Sequence, residues 1–281
     1  MSKKWYKLVI NQIQPIHLGK AVYGVLGETR IFIPGQTVWG ALAKAYCINK
    51  KLPFEKNKNL FEEITCFYPA FDNQSFLKPR FSGGEFYLGD LPEREFKLLF
   101  ADTFVSTAVL PETKSAKDES LHEIEYILPR HKKELESTEL YKKLTQLGYK
   151  NSNLKWVGLI KLEENIKKEI EGMEIYVGGD VRYGFGLMKI TKITETYKSM
   201  EEDFNIISEI KKGKINNADF PSENITLLNF FCIDNTDVKI EGKIEIIIEK
   251  DFYDNNRQNI EGKIVHAGYY AVPGSKILKN I

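Results

Sequence analysis

Ile31-Phe-Ile-Pro-Gly-Gln-Thr-Val-Trp-Gly-Ala-Leu-Ala-Lys-Ala-Tyr46 is the stretch on which the fold turns. A short apolar run stops at Pro34-Gly35, a sharp turn. Val38, Ala41, Leu42 and Ala45 then recur at i, i+3, i+4 and i+7, which puts them on one face of a helix. The pattern predicts a helix over 38–48 with Thr37 as its N-cap. Gly40 and Ala41 keep that helix slim for close packing. Gly35, Gln36 and Thr37 at its start would offer free backbone N–H groups to a phosphate or carboxylate; the alternative reading is a tightly packed core helix with no ligand.

Upstream, Tyr6 to Ile13 is rich in β-branched and aromatic residues and reads as a first strand, followed by turn formers at Pro15, Gly19, Gly24 and Gly27. Downstream, Phe96 to Val105 reads as strand, and Lys133 to Leu147 has helical spacing through Leu140, Leu144 and Leu147. From Trp156 the pattern clears: strand Trp156 to Leu162, helix Glu163 to Glu171, strand Glu174 to Val177 and strand Phe185 to Ile193. Ser199 to Glu223 is polar, with one weak helix near Phe204 to Ile210, and reads as a connector. Ile225 to Ile233, Lys243 to Phe252 and Lys263 to Leu278 are β-rich. The expected fold is α+β: a ferredoxin-like domain with insertions over 1–197, then a connector and smaller β-rich domain over 198–281.

The most specific motif is Gly178-Gly-Asp-Val-Arg-Tyr-Gly-Phe-Gly186, placed between two strands. Gly178, Gly179, Gly184 and Gly186 let the backbone take positive φ and approach a ligand, and successive N–H groups could form an anion-binding nest. Arg182 adds a bidentate phosphate donor, and Tyr183 a ring on which a base could stack. A solvated glycine-rich turn is the competing reading. No helix follows, so this is not a dinucleotide fingerprint, and no Gly-Lys-Ser/Thr ends it, so it is not a P-loop.

Composition bounds the function. With 40 Lys+Arg against 39 Asp+Glu the formal charge is +1, so nucleic-acid binding must rest on local patches and gains from neighbouring subunits. Cys47, Cys66 and Cys232 are odd in number and never in CxxC spacing, which argues against a disulfide framework or zinc site. The first residues lack an apolar run of signal-peptide length, and none elsewhere is long enough to span a bilayer. The expectation is a cytoplasmic protein without metal, cofactor or membrane association.

Taken together, the Ile-Pro-Gly segment opening the first helix and the late Gly-Gly-x-x-Arg-x-Gly-Phe-Gly loop before the last strand of the domain resemble the RAMP (repeat-associated mysterious protein) superfamily of CRISPR-associated proteins. A middle stretch, Glu112-Thr-Lys-Ser-Ala-Lys-Asp-Glu-Ser-Leu-His-Glu-Ile-Glu125 followed by Trp156-Val-Gly-Leu-Ile160, is similar to that family's mid-domain pattern. The resemblance covers about the first 190 residues in pieces. It implies an RRM-related ferredoxin-like fold whose glycine-rich loop and first helix hold CRISPR guide RNA, with other RAMP backbone subunits and the complex's large subunit as partners.

Three family roles compete: holding the guide's 5′ handle in a type III complex, forming the repeating backbone that cuts target RNA through an aspartate before the Ile-Pro-Gly segment, and processing the guide as an endoribonuclease. Between His17 and Pro34 the only carboxylate is Glu28, so the cutting aspartate is missing. The glycine-rich loop lies about 95 residues from the C-terminal residue, which leaves room for a second domain and disfavours the processing nuclease. Gly262 to Ser275 looks like the closing hairpin of the handle-binding group. The expectation is therefore a non-enzymatic handle-binding subunit. The alternatives are a metal-independent nuclease using His17 as general base and a backbone subunit without the cleaving aspartate.

Among further candidates, Trp39 reads as core, His122 and His131 flank a basic stretch that could wrap RNA, and His266 reads as a strand residue. Lys132-Lys133, Lys142-Lys143 and Lys167-Lys168 read as solvated helix faces, the first two within reach of phosphate.

Overall fold

The computed structural model describes residues 3–71, 75–206, 209–216, 224–234, 236, 238–251 and 263–278. Its central sheet is formed by β1 (Lys4–Gln12), β2 (Tyr68–Ala70), β3 (Lys155–Leu162), β4 (Glu174–Tyr176) and β5 (Leu187–Glu195). The spatial order is β4-β5-β1-β3-β2, and every neighbouring pair is antiparallel. Helix α1 (Gly35–Lys50) connects β1 towards β2, and α2 (Glu164–Ile170) connects β3 to β4.

Leu8, Val9 and Ile10 are all fully buried, so this sheet is covered on both faces and β1 reads as a continuous apolar run rather than an alternating one. The helices cover one face: Tyr6 Oη donates to Glu164 on α2 (2.7 Å), and Tyr46 Oη on α1 donates to Glu169 (2.7 Å). On the other face Tyr68 donates its hydroxyl to the Leu228 carbonyl (2.6 Å), and its ring packs against Phe76 and Phe204 at 5.9 and 6.2 Å. Tyr68 and Phe204 are fully removed from water, each contributing about 3 kcal/mol of gross burial energy, and Phe76 is partly buried beside them.

A second sheet runs Gly19–Tyr23, Leu26–Thr29, His122–Ile127, Ala101–Ser106 in space. A third, of five strands, lies towards the C-terminal end and includes the long hairpin Ile244–Asp251 with Lys263–Ala271. Phe204, Leu228, Phe230, Tyr270 and Val272 belong to the same apolar cluster as Leu8 and Ile10, while Ile210, Ile215, Leu227, Phe231, Ala271 and Ile277 form a smaller cluster.

Several local expectations change. The first helix starts at Gly35, not Val38: Pro34 occupies the cap position at φ −57°, and Thr37 donates its N–H to the Pro34 carbonyl (2.9 Å) instead of capping. Glu93–Phe100 is a helix preceding the strand, because Phe96, Leu99 and Phe100 share one buried face. The polar stretch after Ser199 is not a loose connector over its described part. Helix Lys198–Asp203 places Met200 and Phe204 in the core, and the hairpin Ile210–Lys211/Lys214–Ile215 follows. Phe252 and Gly262, which bounded two of the β-rich stretches, lie outside the described residues.

Candidate nucleic-acid interface

The glycine-rich loop joins β4 to β5 and is pinned from below by the chain around His17. Gly179 donates its N–H to the His17 carbonyl (3.0 Å) and Gly186 to the Pro15 carbonyl (2.8 Å). Gly178 has φ +91°, and a Cβ there would lie 2.2 Å from the His17 carbonyl oxygen, so only glycine fits. Asp180 and Gly184 frame a single 3₁₀ turn, Val181–Tyr183, both in the left-handed region at φ +57° and +84°.

This pinning changes the nest expected from sequence. The amides of Gly179, Tyr183, Gly184 and Gly186 are spent on carbonyls of the chain itself. Those of Asp180, Val181 and Arg182 have no backbone acceptor among the described residues, so the loop offers fewer N–H groups than its glycine count implies. Arg182 is exposed and forms no ion pair among the described residues. A guanidinium carries five donors in a fixed fork, and here the fork is left to solvent.

Tyr183 is 48% exposed, and its ring lies 5.3 Å from Phe104 and 6.2 Å from His122. Phe185 is buried beneath, 5.0 Å from Tyr126. The loop thus rests on the hairpin Ala101–Ser106/His122–Ile127, and its aromatic surface is built from two elements. Sequence reading found Tyr183 but missed Phe104 as its support, since the contact joins distant segments without a shared periodicity. His122, assigned only to a basic stretch, is brought to the same place.

His17 is partly buried, with Nδ1 2.7 Å from the Glu125 carbonyl oxygen. That bond fixes the ring beside Gly27 and Gly179. The residue therefore joins the second sheet to the loop through both its imidazole and its carbonyl. No hydrogen bond or ion pair with a lysine, tyrosine or second histidine joins its ring among the described residues.

The start of α1 is closed. Gly35 is buried, and a Cβ on it would lie 2.5 Å from the Gly213 amide nitrogen and 2.7 Å from the Thr65 carbonyl oxygen. Cys66 fills the remaining space: its Sγ donates to the Gly213 carbonyl (3.6 Å), and burial pushes its thiol up to about 12. Gly35 is thus not open to a phosphate; Gln36 and Thr37 are half-buried. No hydrogen bond joins residues 35–37 to residues 178–186 among the described residues, so the two motifs do not form one site by direct contact.

Glu28 is clamped by Lys20 and Lys97, each 2.8 Å from Oε1. Burial opposes its ionisation, but the two lysine hydrogen bonds outweigh that and hold the carboxyl below the ordinary glutamate range. Lys97 also meets Glu125 (2.9 Å) and Lys20 meets Glu93 (3.1 Å), giving a half-buried network under the second sheet.

Other candidates are structural. His131 is buried, not wrapped around a ligand: Nδ1 lies 3.1 Å from Tyr149 Oη and Nε2 3.1 Å from Glu136 Oε1. Lys142, Lys143 and Lys167 are paired with Glu139, Glu95 and Glu164. His266 Nε2 lies 3.1 Å from Tyr270 Oη, and Trp39 donates to the Lys58 carbonyl (2.7 Å). Among the described residues no group of three or more His, Cys, Asp or Glu side chains is arranged to hold a metal ion, and no helix is long and apolar enough to cross a membrane.

No protein-family model matches the sequence, and no curated protein matches it. Solved structures do share its fold. A chain of the Type III-B Cmr-beta complex bound to cognate target RNA and AMPPnP superposes with a TM-score of 0.61 at 13% identity, over 97% of this chain and 86% of that one. A chain of the same complex bound to cognate target RNA gives 0.60 at 12% identity over the same shares.

Proposed function

We propose that this chain is an RNA-binding structural subunit of a type III-like CRISPR effector complex and that its glycine-rich loop holds the guide, most specifically its 5′ handle. The observation that carries the reading is Arg182: an exposed guanidinium with no ion-pair partner among the described residues, beside an exposed tyrosine ring, on a loop whose shape is enforced from beneath. A charge-assisted contact plus a stacking surface is what single-stranded RNA requires, and a rigid loop loses little entropy on binding.

The order β4-β5-β1-β3-β2, with helices after β1 and β3, supports the ferredoxin-like reading: it is a β-α-β-β-α-β run with one added edge strand. The shared fold with a chain of a complex bound to target RNA supports the RAMP assignment. Handle holding rather than target cutting is supported by Glu28, the one carboxylate before the Ile-Pro-Gly segment, which is neutralised by two lysines and thus poorly placed as a catalytic group. Guide processing through His17 is disfavoured because the histidine's ring and carbonyl both serve to hold the loop.

Membership of an assembly accords with Ile244, Ile246, Ile248 and Tyr269, which are about half exposed along one long hairpin; such a patch is what a subunit buries against a neighbouring protein. Co-expression with a guide RNA and the adjacent genes tests the proposal. One complex containing this chain in a single copy, photocrosslinked to the 5′ end of the guide, is the expected product. Recovery of the chain outside any such complex would contradict it.

A further inference from the structure

The hairpin that carries the glycine-rich loop also carries cations that the loop reading does not use. Register places Lys189 on β5 beside Asn11 on β1, and Asn11 beside Lys155 on β3, so the two lysines flank one asparagine in a single row across the sheet. Thr191 is extruded where the register shifts, and Lys192 therefore falls beside Val9 on the same face. Ile190 pairs with Ile10 and is buried on the opposite, helix-covered face.

Lys189 and Lys192 are exposed, Lys155 is half-exposed, and none of the three forms an ion pair among the described residues. Elsewhere on the molecule lysines are commonly matched: Lys161 by Glu63, Lys143 by Glu95, Lys97 by Glu28 and Glu125. Glu174, opposite Lys189 on β4, is the carboxylate that belongs to the row, and no ion pair between them forms. Glu171 reaches the end of this track, its Oε1 accepting from the Ile193 N–H beside Lys192 (3.3 Å), so three cations stand against two carboxylates in a chain that is otherwise balanced, 40 to 39. Tyr176, two residues along β4 from Glu174 and so on the same face, is 52% exposed.

We infer that this face of β5 and the ends of β1 and β3 form a second contact for the same RNA strand: Lys155, Lys189 and Lys192 hold phosphates spaced along it and Tyr176 stacks on a base. The inference rests on the reading that the loop binds RNA. Lys155 and Lys189 sit two strand spacings apart, about 10 Å. That is about three stacked nucleotides at ~3.4 Å each. Because β4 and β5 emerge directly from residues 177–186, a strand held at Arg182 is delivered to this row without leaving the hairpin. A basic track with an interposed aromatic ring binds backbone and base together and is indifferent to sequence.

The test is a fluorescence titration of the full chain with a 12-nucleotide single-stranded RNA at several salt concentrations. Replacing Lys155, Lys189 and Lys192 together by glutamine should weaken binding at low salt by tenfold or more. It should also flatten the salt slope by about 2, at ~0.7 for each single-strand phosphate contact. Tyr176→Ala should weaken binding by about tenfold with the salt slope unchanged, since stacking releases no counterions. Lys142→Gln, on a paired lysine of a different element, should bind like the wild type. If the triple variant melts early, the three single variants carry the test, each expected to flatten the slope by about 0.7. Wild-type affinity and slope in the folded lysine variants overturn the inference. If Arg182→Ala weakens binding in that same case, the loop still binds RNA and only the track is lost. No salt-dependent RNA affinity in the wild type overturns both.

Discussion

Gly35 and Gly213 pack backbone against backbone: a Cβ on Gly35 would sit 2.5 Å from the Gly213 amide nitrogen, and one on Gly213 would sit 2.7 Å from the Gly35 nitrogen. The contact joins the first helix to a hairpin almost 180 residues later in the chain, with Cys66 wedged between. Gly35→Ala should therefore destabilise the whole protein by about 3 kcal/mol or more, since neither backbone can yield cheaply. Gly213→Ala should do the same and adds strain at φ +75°. Denaturant unfolding measures both; a variant as stable as wild type would mean the junction can open. An acidic residue at Gly35 would report on packing, not on ligand binding.

Within the loop, Gly178→Ala and Gly184→Ala should separate. Both need positive φ, which costs an alanine about 1 kcal/mol. At Gly184 nothing lies within 4 Å of the added methyl, whereas at Gly178 it meets the His17 carbonyl at 2.2 Å. Thermal melting should show a clearly larger loss for Gly178→Ala, and equal losses would mean the loop is not seated on His17. Gly184→Val should leave the fold measurable while disturbing the exposed turn that presents Arg182 and Tyr183.

Glu28→Gln should cost about 1–3 kcal/mol at neutral pH, because Lys20 and Lys97 lose a charged acceptor while remaining half-buried. The folded-state carboxyl titrates below the ordinary glutamate value, so its stabilisation is present above that value and disappears as the pH falls through the depressed one. The gap between wild type and variant should therefore be widest near neutral pH and close in acid. A gap that widened on acidification would contradict the clamp.

On the proposed reading the wild type should not cleave RNA with or without divalent metal, and His17→Ala should lower the melting temperature by breaking the imidazole's bond to the Glu125 carbonyl. Metal-free cleavage of a stem-loop repeat RNA that disappears in His17→Ala would make the protein the processing nuclease.

β1, β3 and α2 were legible because their signals are local, and each falls within two residues of the range read from sequence. In contrast, α1 was legible as a helix but not at its start, which Pro34 sets at Gly35. Glu93–Phe100 was misread because a strand follows it immediately, and the apolar residues of both merge into one run. For the site, Arg182 and Tyr183 were legible as exposed loop residues, but which amides remain free was not. That depends on Pro15 and His17, whose carbonyls take two of them. The closure of α1 by Cys66 and Gly213 was likewise invisible, since it joins segments with no common repeat.

Arg182→Ala tests the central claim most directly, by titrating guide RNA at two salt concentrations with thermal melting as the control for folding. The guanidinium is exposed and has no ion-pair partner among the described residues, so its removal should leave the melting temperature unchanged. Affinity should fall by about 1–3 kcal/mol, the range for hydrogen bonds to charged groups, and the salt slope should flatten by roughly one phosphate contact. A variant that melts and binds like the wild type, at both salt concentrations and inside the assembled complex, would show that this loop does not hold RNA.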